Sequence, residues 1–213
     1  MRRSGRLACA AFVALLAIAA LAYSPGVHGP FFFDDLPNLQ SLGAYGPIDS
    51  GWKALAFITS GYSGPLGRPL TLASFLLDAR DWPAPALAFK LTNVALHLLN
   101  GALLAGLLAA LTRALGVGRQ RAAWTAVLAA GLWMLAPLWV STTLYVVQRM
   151  AMLAAGFVLG GLWGYVAGRA LLARGRSRAG YALMTASVVG ATALATLSKE
   201  NGAVLPLLAW ILE

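Results

Sequence analysis

Residues 90–113 read KLTNVALHLLNGALLAGLLAALTR, an apolar run held between Lys90 and Arg113, with Asn93, His97 and Asn100 as its strongly polar interruptions. The part without formal charge, residues 91–111, has the length of roughly 20 residues that a helix needs to cross a hydrocarbon core. A run this long with no acid inside it predicts an all-α fold, a polytopic transmembrane helix bundle.

Charges recur at similar intervals on either side of this run. Towards the C-terminus, apolar stretches occupy residues 122–136, closed by Pro137, then 150–167 and 181–197, and another begins at Ala203. The stretch 122–136 is short and needs residues beyond Pro137 to span. The stretch from Ala203 is too short to cross before Glu213, so the chain is expected to be the incomplete N-terminal part of a larger membrane domain covering 1–213. Towards the N-terminus, residues 7–23 follow Arg2, Arg3 and Arg6 and read as a first membrane helix or a cleavable signal peptide. The later spans favour the uncleaved helix.

Residues 24–89 differ from both flanks. Glycine and proline recur, aromatics cluster at Phe31-Phe32-Phe33, and Asp34, Asp35, Asp49, Asp78 and Asp81 all fall here. This is expected to be a long non-cytoplasmic first loop. Residues 52–58 and 69–77 are too short to span and are expected to form short helices at the interface. Loops this long are usually functional.

Composition supports a lipid environment. Of 213 residues, 60% are hydrophobic and 11% charged, against about a quarter charged in soluble domains. The net charge of +9 does not indicate nucleic acid, because the arginines sit in short clusters between apolar runs instead of lining a basic groove. The single cysteine, Cys9, lies in the first apolar run, and the two histidines, His28 and His97, lack metal-ligand spacing.

Counting spans from a cytoplasmic N-terminus places Arg2, Arg3, Arg6, Arg113, Arg119, Arg121, Arg169, Arg174, Arg176 and Arg178 inside, as the positive-inside rule requires. Every acid except Glu213 falls outside. The expected location is a bacterial inner membrane, with the bilayer as the chain's first partner.

The outer side carries the candidate chemistry. Asp34-Asp35 are adjacent carboxylates beside apolar rings, which should raise at least one pKa. They could act as a general base on an acceptor hydroxyl or bind a divalent cation, and the competing use is a helix N-cap. Arg149 and Lys199-Glu200 lie at outer span ends, where they could grip a phosphate. Their competing uses are interfacial snorkelling for either cation and a local ion pair for Lys199-Glu200. Asn93, His97 and Asn100 share a helix face and should hydrogen-bond across the bundle. Arg68, before Pro69, either pairs with Asp34 or Asp35 or starts a helix.

Phe33-Asp34-Asp35, Arg68-Pro69-Leu70, Phe89 with Asn93 and His97, Gln148-Arg149 and Ser198-Lys199-Glu200 follow one another at spacings that cover nearly all of residues 31–201. In this order they resemble the membrane portion of the transmembrane-and-tetratricopeptide-repeat O-mannosyltransferases and their bacterial relatives, which are GT-C glycosyltransferases. The resemblance implies a polyprenyl-phosphate sugar donor, a protein or glycan hydroxyl as acceptor, and Asp34 or Asp35 as the catalytic acid group. It also implies Arg149 and Lys199 as donor-phosphate contacts, with Arg68, Asn93, His97 and Glu200 supporting. This chain departs from the family at Ala136-Pro137, where His-Pro is frequent, and at Ser141, where an acid is frequent. Two other classes compete, a non-catalytic membrane scaffold and a transporter of lipid-linked sugars. A transporter needs ionisable groups near mid-membrane, and only His97 lies within a span.

Overall fold

The computed structural model describes residues 2–213, with side chains from residue 5 onward. The Arg2 and Arg3 side chains of the N-terminal cluster lie outside the described residues. All regular structure among the described residues is helical. The elements are α1 (Arg2–Tyr23), α2 (Asp35–Leu39), α3 (Gly51–Ile58), α4 (Pro69–Phe75), α5 (Ala86–Ala114), α6 (Arg119–Met134), α7 (Trp139–Leu144), α8 (Arg149–Leu172), α9 (Ser177–Ser198) and α10 (Leu205–Ile211), with short 3-10 turns between several of them.

Four helical stretches are long and apolar enough to cross a membrane: Gly5–His28, Ala86–Ala114, Val146–Leu172 and Ser177–Ser198. The stretch expected at 122–136 is not among them. Its helix, α6, has 16 residues, about 24 Å at 1.5 Å per residue, short of a ~30 Å core. The chain breaks at Ala136-Pro137 and resumes as α7, because proline cannot continue the hydrogen-bond ladder.

Both tight hairpins of the bundle close in the same way. After α5, Gly116 takes a φ of +82°, its N–H bonds to the Arg113 carbonyl, and Val117 N–H bonds back to Thr112. After α8, Gly175 has φ +76°, and Arg176 N–H bonds back to Leu171. Each is a Schellman closure with glycine in the left-handed position. The α8/α9 pair is close-packed through small residues: a Cβ at Gly168 would come within 2.9 Å of the Gly180 carbonyl oxygen.

At the opposite end, residues 24–89 fold over the bundle instead of trailing from it. The short helices expected at 52–58 and 69–77 run Gly51–Ile58 and Pro69–Phe75. Their buried faces contribute Phe57, Leu72 and Phe75 to a core with Leu39, Leu42, Phe89 from α5 and Val146. The outward face of α3 leaves Trp52 and Leu55 exposed, as are Tyr45 before it and Tyr62 after it.

Candidate functional site

The neighbouring acids Asp34 and Asp35 have opposite environments. Phe33 takes a positive φ of 36°, a conformation that L residues rarely adopt, and the chain turns sharply there. Asp35 is fully buried. One carboxylate oxygen accepts the Phe32 N–H at 2.9 Å, and the other accepts the Val147 N–H at 2.7 Å. Burial raises its pKa, while those amides and the charge of Lys90 pull the other way. Asp35 therefore ties the start of the 24–89 segment to the segment before α8, with each oxygen accepting one amide. Asp34 is exposed. It occupies the N-cap position of α2 yet makes no side-chain capping bond, which leaves its carboxylate beside the Tyr145 hydroxyl. Its backbone N–H donates to the Tyr145 hydroxyl at 3.0 Å. Burial, and the Asp34 carboxylate beside it, hold the Tyr145 phenol above its ordinary pKa.

Phe33 and Tyr145 line a cavity of about 520 Å³ whose other walls include Phe32, Lys90, Val140, Ser141 and Leu144. Asp34 is not part of that lining, but its backbone joins two of the lining residues, following Phe33 and bonding to Tyr145. Lys90 is fully buried, and its ammonium makes no hydrogen bond. The Lys90 Nζ lies 4.9 Å from the centroid of the Phe32 ring.

Arg149 is also fully buried, but every edge of its guanidinium is engaged. Nε donates to Asn93 Oδ1 at 2.8 Å, one Nη to the Phe89 carbonyl at 2.8 Å and the other to the Ser74 carbonyl at 3.1 Å. That last nitrogen also pairs with Asp78 at 2.5 Å, and the Phe75 ring centroid lies 4.7 Å from the guanidinium carbon. The expected donor-phosphate contact at Arg149 does not fit this placement. The helix end where a lipid phosphate is expected is covered by α4 and Asp78, and each guanidinium nitrogen already has a partner within the protein.

The polar stripe on α5 bonds across the bundle. Asn93 Nδ2 donates to the Tyr145 carbonyl at 3.2 Å, His97 Nε2 meets the Met134 carbonyl at 2.9 Å, and Asn100 Nδ2 donates to Met152 at 2.8 Å. His97 is further held between Trp133, stacked at 4.9 Å, and the edge of Tyr23. Arg68, with a left-handed φ of 55°, pairs with Glu200 at 3.0 Å instead of with Asp34 or Asp35. Arg68 holds the Glu200 carboxyl below its usual range. Lys199 is half-buried, and burial, then the charge of Arg68, lower its pKa.

The motifs thus converge on one end of the bundle and bond to one another: Asp35 to Val147, Arg149 to Asn93 and Phe89, Arg68 to Glu200, and Thr71 to the Ser198 carbonyl. They do not share one cavity, since neither Arg149 nor Lys199 lines the pocket beside Asp34. Asp34 and Asp35 do not chelate as a pair, because Asp35's oxygens face backbone amides. No group of three or more His, Cys, Asp or Glu converges among the described residues. Sequence reasoning missed Asp78, Tyr145 and Lys90. The signal for Lys90 was available, since it lies three residues before Asn93 and extends the same helical stripe.

No family model matches the chain, and neither a curated protein nor a solved structure matches it significantly.

Proposed function

We propose that the chain is the membrane part of a glycosyltransferase that uses a polyprenyl-phosphate-linked sugar on the non-cytoplasmic face and transfers it to a protein or glycan hydroxyl. The observation that carries this reading is the exposed Asp34 carboxylate, free of a capping bond, next to Phe33 and Tyr145 in the wall of an apolar cavity that also includes Lys90, whose buried ammonium makes no hydrogen bond. In this role Asp34 takes the proton of the acceptor hydroxyl while that oxygen bonds to the sugar's anomeric carbon. The bond from that carbon to the donor phosphate breaks, and its electron pair leaves with the lipid phosphate. Asp35 holds the loop in place. The ordered motif resemblance supplies the sugar and lipid classes, and the mutual bonding of those motifs at one end of the bundle supports it. A non-catalytic scaffold is the competing reading, favoured by the structural commitment of Asp35, Arg149, Asn93 and His97.

Transfer of labelled sugar from a polyprenyl-phosphate donor, measured in membranes containing the chain, tests the proposal. Asp34→Asn should lower transfer by about 10²–10⁴-fold, the contribution of general acid–base catalysis, with the amount of folded protein unchanged. Asp35→Asn should reduce folded protein instead. Wild-type transfer in Asp34→Asn would remove that carboxylate from the reaction.

The proposed topology puts the N-terminus and the Arg113–Arg121 and Arg169–Arg178 turns in the cytoplasm, with α6 and the break at Pro137 together making one crossing. The exposed aromatics Phe33, Tyr45 and Trp52 then lie at the outer interface, where such rings concentrate. In a Cys9→Ala background, Gly51→Cys should react with an impermeant thiol reagent on intact cells, and Gly118→Cys only after lysis. Both positions have open space for a side chain. Reaction at position 118 in intact cells would overturn this arrangement.

A further inference from the structure

Lys90 lies in the first turns of α5, where a lysine near a span end ordinarily reaches for water. Here it does not: its side chain is 0% exposed, and Nζ makes no hydrogen bond. Among the described residues, no carboxylate pairs with it within 4.0 Å, the ion pairs being formed by Lys53, Arg68, Arg149 and Arg169. Asp35, whose carboxyl feels the charge of Lys90, has each oxygen accepting a backbone N–H. An isolated buried ammonium is strongly unfavourable unless a partner balances it.

Lys90 belongs to the wall of the 520 Å³ cavity, a size typical of small-molecule sites. A Cβ on Gly29, also in that wall, would lie 3.1 Å from Nζ, so glycine at this position leaves the ammonium its room. The remaining lining is apolar apart from the hydroxyls of Ser141 and Tyr145. Three ammonium hydrogens and two hydroxyls suit an anion with several acceptor oxygens, and Phe32, Val140 and Leu144 suit a hydrocarbon attached to it.

We infer that this cavity is a binding site for a phosphate group carried on an apolar chain, with Lys90 as its cationic contact and Ser141 and Tyr145 as neutral donors. The inference rests on the reading of this cavity as the donor site and moves the phosphate contact from Arg149 to Lys90. The ligand's phosphate supplies the hydrogen-bond acceptor that Lys90 lacks within the protein. Its chain occupies the wall formed by Phe32 and Leu144.

The test is binding alone, so it remains decisive even if sugar transfer is never observed. The full chain in phosphatidylcholine nanodiscs is titrated with farnesyl phosphate, farnesol and inorganic phosphate, and its thermal midpoint is recorded. Farnesyl phosphate should bind saturably, with farnesol at least about 10-fold weaker because it lacks the hydrogen bond to a charged group, and inorganic phosphate at least about 10-fold weaker because it lacks the buried hydrocarbon. Lys90→Met should lower farnesyl phosphate affinity about 10-fold or more with an unchanged or higher midpoint, while Lys90→Arg retains part of the affinity. Gly29→Ala, which crowds Nζ, should weaken binding without lowering the midpoint. Three results would each overturn the inference. The first is wild-type affinity in Lys90→Met, alone or with binding lost in Lys199→Gln. The second is a midpoint lowered by Lys90→Met and restored by adding Asp35→Asn, which would make Lys90 the counter-charge of Asp35. The third is inorganic phosphate binding as tightly as farnesyl phosphate.

Discussion

Arg149 and Lys90 are both fully buried cations in the opening turns of long apolar helices, at the same end of the bundle. Arg149 donates from all three of its nitrogens and pairs with Asp78, whereas Lys90 makes no hydrogen bond at all. The difference separates two uses of a buried charge. A cation whose donors are all met inside the protein fixes the elements around it, here α4, α5 and α8. A cation with none met destabilises the fold and gains a partner only when an anion arrives. Position in the sequence does not separate these cases, since either residue at a span end could have been the ligand contact.

The largest effect that would break this comparison is at Arg149. Removing one partner of a buried pair typically costs about 3–5 kcal/mol, because the other charge is left unbalanced. Arg149→Ala should lower the thermal midpoint in detergent sharply. Arg149→Lys should also be damaging, because one ammonium cannot reach Asn93, Phe89 and Ser74 together. Adding Asp78→Asn should recover part of the loss, a coupling that a double-mutant cycle measures. An Arg149→Lys protein that melts like the wild type but loses donor binding would reverse the roles of the two cations.

Lys90 should respond with the opposite sign. Hydrophobic replacement of buried ionic groups is often neutral or stabilising by about 1–4 kcal/mol, so Lys90→Met should leave stability unchanged or raise it. Chemical denaturation of the ligand-free protein measures this directly. A loss comparable to that of Arg149→Ala would show Lys90 to be a structural cation of the same kind.

What could be read in advance follows the range of each interaction. The long helices α5, α8 and α9 were legible because a span is a local property of about 20 residues. The Asn93–His97–Asn100 stripe was legible because three- and four-residue spacings share a helix face. The break after α6 was visible in Pro137, but its consequence, a helix too short to span unaided, depended on where the chain turns. The pairs Asp35 with Val147 and Arg68 with Glu200 join residues more than a hundred positions apart, so the sequence nearby carries no mark of them. The enclosure of Arg149 is hidden for the same reason: its partners Ser74 and Asp78 arrive from the 24–89 segment. Asp34 and Asp35 could not be told apart locally, because the Phe33 turn and the Val147 amide assign their roles.

Arg68 and Glu200 provide an intermediate case between the two buried cations, with side chains 19% and 30% exposed. The hydrogen bond from Arg68 is the main reason the Glu200 carboxyl lies below its ordinary value of 4.5. A carboxylate with a depressed folded pKa stabilises the protein above its unfolded pKa and loses that contribution as pH falls through the folded value. The Arg68–Glu200 contribution should therefore be complete well above pH 4.5 and decline on acidification below it. Water and salt screen a pair this exposed, so it should be worth at most about 1 kcal/mol. Glu200→Gln should lower the thermal midpoint slightly at pH 7 and leave it close to that of the wild type well below pH 4. The difference at pH 7 should shrink in high salt, whereas the Arg149→Ala loss should change little, since salt screens buried charges weakly. A Glu200→Gln loss as large as that of Arg149→Ala, or one independent of pH, would place Arg68 with the fully enclosed cations and make burial a poor guide to which charges hold this fold together.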